Sequence, residues 1–363
     1  MFVPFHIYLK GKGEIYLKTN WAAAFQIAAV YVGTVVGAGF ATGREIVEFF
    51  SRFGIFGLVG ILMSGYIFIF MGSKMMRIAA QIEAKSYQEL NEYLFGKLFG
   101  TMLNLFMLIM LLGVCAVMLS GAGAVFEEQL GISKTIGVLI TIAISLLTIL
   151  RGIKGLFAIN IIVVPMMIVF SFMLMLISMQ LPDFWERVAY IPYADDGWKA
   201  VIAPFSYTAL NLALSQAVLV PVASDIKDDQ SIKWGGILGG AALTLILISS
   251  HVALVMLPDV ESYNIPMAVV MKTLAASFYW IFVFVIYGEI LTSVVGNAFG
   301  LERQIRQYIN MPAMVTVSFI FVISYLASMI NYGTLLSYMY PLFGYVSLGF
   351  IIVLWMKPFR EQK

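Results

Sequence analysis

The sequence predicts an all-α integral membrane protein whose ten transmembrane helices form a 5+5 inverted repeat. Three observations lead there: a shortage of charge, ten long apolar runs, and glycines and gaps that recur in the two halves. Of 363 residues only 22 are Lys or Arg and 20 are Asp or Glu, 12% of the chain, against about 25% in soluble proteins. Apolar residues make up 61% and the mean hydropathy is +0.93. A soluble fold would have to bury most of that material with too little charge left to coat it. Composition therefore excludes a soluble enzyme, a disulfide scaffold and a disordered chain. Cys115 is the single cysteine, and His6 and His251 are the two histidines, so neither a disulfide nor a cysteine- or histidine-rich metal site is expected. No HExxH, GxxxxGK[ST] or GxSxG motif occurs, and the expectation is that the chain is not an enzyme.

A hydrocarbon core about 30 Å thick is crossed by about 20 apolar helical residues. Ten such stretches run over 21–50, 53–76, 101–126, 133–150, 155–181, 198–222, 235–257, 274–300, 313–330 and 334–356. Barrel strands would be about 10 residues long and would alternate in polarity; these runs are longer and apolar all round. The first is too long for a signal-peptide core and lacks a cleavage site, so it reads as a retained span. With the N-terminal tail inside, 16 Lys and Arg fall on the cytoplasmic side and 6 on the other. That bias places both termini in the cytoplasm of a multi-pass protein of the bacterial cytoplasmic membrane. Lys10 to Glu14 read Lys-Gly-Lys-Gly-Glu, what a translated ribosome-binding site yields, with Leu17 at a suitable distance as a start. Residues 1–16 are thus expected to be a start-site artefact within a cytoplasmic tail, 1–20.

The repeat divides the chain into 21–181 and 198–356, followed by a second tail, 357–363. Each half begins with a span expected to break. Each continues with a span rich in glycine at its start: Gly54, Gly57 and Gly60, then Gly235, Gly236, Gly239 and Gly240. A semi-polar connection able to carry a short surface helix follows, at 80–96 and 258–273, and each half closes on two tightly joined spans. Gly54 to Gly235 and Gly152 to Gly333 share an offset of 181 residues. Five spans per half is odd, so the second half inserts upside down, an arrangement of transporters whose substrate sits where broken helices meet.

In the first span, Gly33, Gly37, Gly39 and Gly43 place four glycines in eleven residues. Each costs about 1 kcal/mol relative to alanine in a helix. Close packing through GxxxG pairs explains part of the pattern, but not the GxG at Gly37 and Gly39, so the helix is expected to unwind there. Freed N–H groups at the start of the outer half-helix would face a carboxylate. In the sixth span Pro204 removes a donor and frees a carbonyl one turn earlier. Ser206, Thr208 and Asn211 can then satisfy backbone or bind an amine, and a second break is expected at this place.

Glu289 alone among the 20 acids sits in mid-span, so it faces a cavity, pairs, or holds a proton. Thr292 and Ser293 follow at i+3 and i+4 on the same face. Two mechanisms stand open: hard oxygen ligands for Na⁺, or a carboxyl that loads and releases a proton. A static hydrogen bond to Thr34 or His251 is the structural alternative. Arg44, Glu45 and Glu48 read as an outer gate or, more simply, a solvated helix end.

The glycine motif early in the first of ten spans resembles the amino acid–polyamine–organocation superfamily with the LeuT fold. The string AAVYVGTVVGAGFATGREIVEFF, from Ala28 to Phe50, resembles the YkvI-type bacterial membrane proteins, regarded as amino-acid permeases, and the likeness covers the chain after residue 18. The resemblance implies that the backbone amides at Gly37, Ala38 and Gly39 hold a substrate carboxylate, with Phe205 covering the substrate and Ser206 and Thr208 lining its site. It implies a second sodium site formed by carbonyls of Gly33 and Val36 with Glu289, Thr292 and Ser293. Phe40 stands where sodium-coupled relatives carry an asparagine, which argues against a first sodium site. The function so implied is secondary transport of a small amino acid or similar zwitterion, coupled to Na⁺ or H⁺. No cofactor beyond that Na⁺ ion is expected. The expected partners are the substrate and the lipid bilayer, without nucleic acid; no oligomeric state can be read. The alternative is a transporter-like receptor that binds a small molecule without flux, as the permease-like subunits of spore germinant receptors resemble.

Overall fold

A computed structural model describes residues 20–150, 153–191, 197–309 and 311–358. The tail with its suspected start site, and Gly152 of the second offset, lie outside them. Among the described residues the fold is all helical. Six helices are long and apolar enough to cross a membrane: Ile55–Gln81, Tyr87–Leu130, Gly197–Ile226, Asp229–Leu254, Ala276–Arg306 and Tyr332–Met356. Four shorter apolar helices, Trp21–Val35, Lys134–Leu150, Val163–Ser178 and Ala313–Ser328, fall within the remaining expected stretches.

The first span is broken. Helix α1 (Trp21–Val35) is capped by the Asn20 side chain, which accepts from the Ala23 N–H at 3.2 Å, and it ends where Val36 turns to an extended ψ of 98°. Gly37 is also extended, and the chain resumes as α2 (Ala38–Thr42). Gly43 then takes the left-handed conformation, φ +79°, before α3 (Arg44–Phe49). A side chain at Gly43 would be strained by that φ and would also meet Met267 Cγ at 2.5 Å, so glycine is required here twice over.

The second span runs from α4 (Ile55–Ile67) through one π-turn (Phe68–Gly72) into α5 (Ser73–Gln81). The Tyr31 hydroxyl donates to the Phe68 carbonyl in that turn at 3.0 Å. A wider turn presents carbonyls that an α-helix would keep for itself. Helix α6 (Tyr87–Leu130) carries non-helical angles at Gly96, φ 78° and ψ 167°, so a short helix over 87–95 precedes the span proper. Helices α7 (Lys134–Leu150) and α8 (Ile153–Ser178) and the short α9 (Phe184–Val188) complete the first half.

Helix α10 (Gly197–Ile226) corrects one expectation. It is continuous through Pro204, not broken. Hydroxyls gather at the carbonyls beside the proline: Ser206 Oγ donates to the Ala203 carbonyl at 3.1 Å, while Thr208 Oγ1 and Ser64 Oγ donate to the Pro204 carbonyl at 2.7 and 3.1 Å. No glycine lies within a turn of Pro204, so the helix lacks the residue that makes unwinding cheap. Helix α11 (Asp229–Leu254) uses its four glycines as two rows. Gly235 and Gly239 lie against Ile27 and Tyr31 of α1, while Gly236 and Gly240 lie against Ser73 and Ile69 of the second span, all closer than a Cβ would permit. Small residues let membrane helices approach where no hydrophobic force does so. Helix α12 (Pro266–Leu274) fills the second semi-polar connection; α13 (Tyr279–Tyr308), α14 (Ala313–Ser328) and α15 (Tyr332–Met356) close the chain.

Candidate functional site

The interruption at Val36–Gly37 faces α13. The Ala38 N–H donates to Ser293 Oγ at 3.2 Å, and the same oxygen stands 3.2 Å from where a Gly37 side chain would begin. An N–H released by the break is thus bonded to one of the two hydroxyls expected at the cation site. The other, Thr292 Oγ1, donates to the Glu289 main-chain carbonyl at 3.0 Å. Glu289 is 1% exposed, and its Oε1 has no hydrogen-bond partner among the described residues. Neither suggested structural partner binds it: Thr34 donates to the Tyr31 carbonyl, and His251 Nδ1 pairs with Ser51 Oγ. A carboxyl buried at membrane depth is costly unless it is neutralised, paired or hydrogen-bonded.

A second polar centre lies on the other side of the break and was missed in the sequence. Glu45, read as part of a gate or solvated helix end, is 4% exposed and turned inward. Its Oε1 accepts from Asn211 Nδ2 at 3.1 Å, and its Oε2 packs on Gly39, 2.5 Å from where a Cβ would stand. The left-handed Gly43 resets the helical phase, so faces counted from α2 do not extend into α3. Arg44 and Glu48 do go to the rim. Arg44 donates to the carbonyls of Glu261 and Tyr263 and to Ser337 Oγ, at 2.5, 3.1 and 3.2 Å. Glu48 accepts from Arg52 and Ser337 at 2.8 and 2.6 Å. Arg44 borders a polar cavity of about 400 Å³, to which Asn264, Asn331 and Thr334 also contribute.

Ties also cross the opposite end of the bundle. Arg77 holds Asp229 through two bonds of 2.7 Å, Ser224 Oγ donates to the Ala79 carbonyl at 3.1 Å, and Lys227 reaches Glu83 at 2.8 Å. The Lys227 ammonium holds the exposed Glu83 carboxyl below the usual carboxylate range.

The residues expected from the sixth span are not all at the break. Phe205 is 37% exposed, on the opposite face of α10 from the buried Tyr207, so it does not cover the site. Ser206 is buried against Gly344 of α15, and Thr208 is bonded to its own helix. Asn211 and Tyr207 face the break instead. The Tyr207 ring packs against Phe49, Phe50 and Phe68 with centroids 5.3, 4.8 and 5.9 Å away, and its buried hydroxyl has no partner among the described residues. Gly33 lies beside Val164 of α8, and Val36 is buried.

Residues 23–335 match the family model for the spore permeases, described as spore germination protein. The chain belongs to that family. Within it, the chain is 49% identical to the uncharacterized membrane protein YkvI of Bacillus subtilis (strain 168), over 92% of this chain and 96% of the relative. It is 23% identical to the uncharacterized protein YyaD of the same organism, over 94% and 99% of the two chains. Its fold is similar to the crystal structure of a manganese transporter from Eremococcus coleocola in complex with an aromatic bis-isothiourea substituted compound. That match has a TM-score of 0.59 at 14% identity, covering 95% of this chain and 80% of the other. The spore permeases are membrane proteins, and both family and fold are those of multi-pass permeases, not of enzymes.

Proposed function

We infer that this permease is a secondary transporter of a small amino acid or similar zwitterion, working by alternating access and coupled to Na⁺ or H⁺. The observation that carries the reading is the break at Val36–Gly37 bonded across to Ser293, one turn from the partnerless carboxyl of Glu289. Backbone unpaired at membrane depth is tolerated where it lines a polar cavity. Glu289, Thr292 and Ser293 would hold the cation or the proton, together with carbonyls of Gly33 and Val36. The substrate would lie against Gly37, Ala38 and Gly39. The ten-span inverted arrangement of LeuT-like transporters, with both termini in the cytoplasm, accommodates the six long and four shorter apolar helices. Bonds at both ends of the bundle fit a closed form between openings. The structural neighbour is a manganese transporter.

Purified protein screened against amino acids, with Na⁺ exchanged for K⁺ at constant ionic strength, tests the reading. An amino acid that stabilises the protein more in Na⁺ or at one proton concentration supports it; no response to any amino acid contradicts it. A second reading is favoured by the family's description as spore germination protein: a receptor that binds the same ligand without moving it. Binding with no flux would select that reading.

A further inference from the structure

We propose that Glu45 and Asn211 form a subsite for a cationic primary amine, so that the ligand is recognised through its ammonium group. The inference deepens the permease reading above and rests on it only for the existence of a small organic ligand. Glu45 is 4% and Asn211 6% exposed. Among the described residues Glu45 has no Lys, Arg or His partner, and its one donor is the Asn211 amide. Its sequence neighbour Arg44 cannot compensate, because Arg44 is committed to the Glu261 and Tyr263 carbonyls and to Ser337.

An ionised carboxylate taken out of water needs a cation or a proton to balance it. The surroundings are suited to an ammonium. Gly39 leaves the space into which Glu45 Oε2 reaches, a space that a side chain would fill. Tyr207 contributes a buried hydroxyl with no partner among the described residues. Tyr332, by contrast, is paired with Thr42 at 2.8 Å. An ammonium has three N–H donors and no acceptor. Glu45 Oε2 and the hydroxyl of Tyr207, one turn before Asn211 on α10, are acceptors with no donor among the described residues. The Asn211 amide, which also donates to the Tyr207 carbonyl at 3.1 Å, holds the carboxylate in position.

The test uses full-length protein in detergent, wild type and the variants Glu45→Gln, Glu45→Asp and Tyr207→Phe. Binding is measured for the twenty common amino acids, their decarboxylated primary amines and their N-acetylated forms. The subsite predicts that a binding amino acid keeps part of its affinity when decarboxylated and loses it when acetylated. It predicts a loss of about tenfold or more in Glu45→Gln, with partial recovery in Glu45→Asp and a smaller loss in Tyr207→Phe. Glu45→Gln keeps the bond from Asn211, so its melting temperature without ligand should match the wild type. Acetylated ligands that bind as well as free ones, unchanged affinity in Glu45→Gln, or no binding by any amine would each overturn the subsite. Amine binding that needs Glu45 in a protein without flux keeps the subsite and removes only the transport reading.

Discussion

Replacing Glu289 by leucine should make the protein more stable and leave it unable to couple transport to an ion gradient. Glu289 is 1% exposed, and its Oε1 has no partner among the described residues. A buried polar atom without a hydrogen bond costs about 1–3 kcal/mol, and apolar replacements of buried charged groups are often neutral or stabilising by about 1–4 kcal/mol. Leucine is smaller by one heavy atom and apolar, so Glu289→Leu is expected to gain about 1–2 kcal/mol, less whatever is lost in imperfect packing. Glu289→Gln preserves volume and should change stability by no more than about 0.5 kcal/mol. Both variants should abolish gradient-driven uptake in proteoliposomes. If Na⁺ is the coupling ion, wild-type protein in Na⁺ at about 100 times its dissociation constant should gain about 2.7 kcal/mol over K⁺, and neither variant should. Thermal unfolding in the two salts and uptake after reconstitution measure both halves. A Glu289→Leu protein that unfolds more easily, beside a Glu289→Gln protein that still couples, would refute the reasoning and make Glu289 a structural bond.

Other perturbations test other parts of the molecule. Ser293→Ala strips the acceptor from the Ala38 N–H and should cost about 1–3 kcal/mol in thermal unfolding. Gly72→Ala puts a methyl 2.2 Å from the Tyr31 hydroxyl oxygen and should cost about 1–3 kcal/mol; adding Tyr31→Phe removes that oxygen and should recover part of the loss, which a double-mutant cycle reads directly. Gly43→Ala combines a forbidden φ with a collision at Met267 and should lower expression and folded yield more than either of these. For orientation, Cys115 is the single cysteine, so a Cys115→Ser background allows site-specific labelling. Lys233→Cys should react with an impermeant maleimide only from the cytoplasmic face and Lys134→Cys only from the other.

Much of the fold could be read from the sequence because membrane burial is written in composition. Apolar runs of 18–30 residues leave the backbone no choice but a helix. The break at Gly37 was equally legible, since glycine density lowers the cost of unwinding where a polar lining can take the freed groups. Glu289 was conspicuous as an acid without a loop to sit in. Sequence was less informative about faces. Phe205 was assigned to the site by resemblance, but α10 is continuous there and turns Phe205 outward, 37% exposed. Glu45 was missed for a related reason. Its inward direction depends on the single left-handed residue Gly43, a backbone angle that periodicity cannot supply. A charged triplet, Arg44-Glu45-x-x-Glu48, reads as a solvated end, although Gly43 sends its members to different faces.

The claim that most needs a direct test is that a ligand crosses the membrane through the broken helix under the control of Glu289. Uptake of the best-binding amino acid into proteoliposomes, with Na⁺ and H⁺ gradients imposed separately, is the measurement. The account predicts accumulation driven by one of the two gradients in the wild type and none in Glu289→Gln, which should still bind the ligand. Saturable binding with no accumulation under either gradient in the wild type would contradict it.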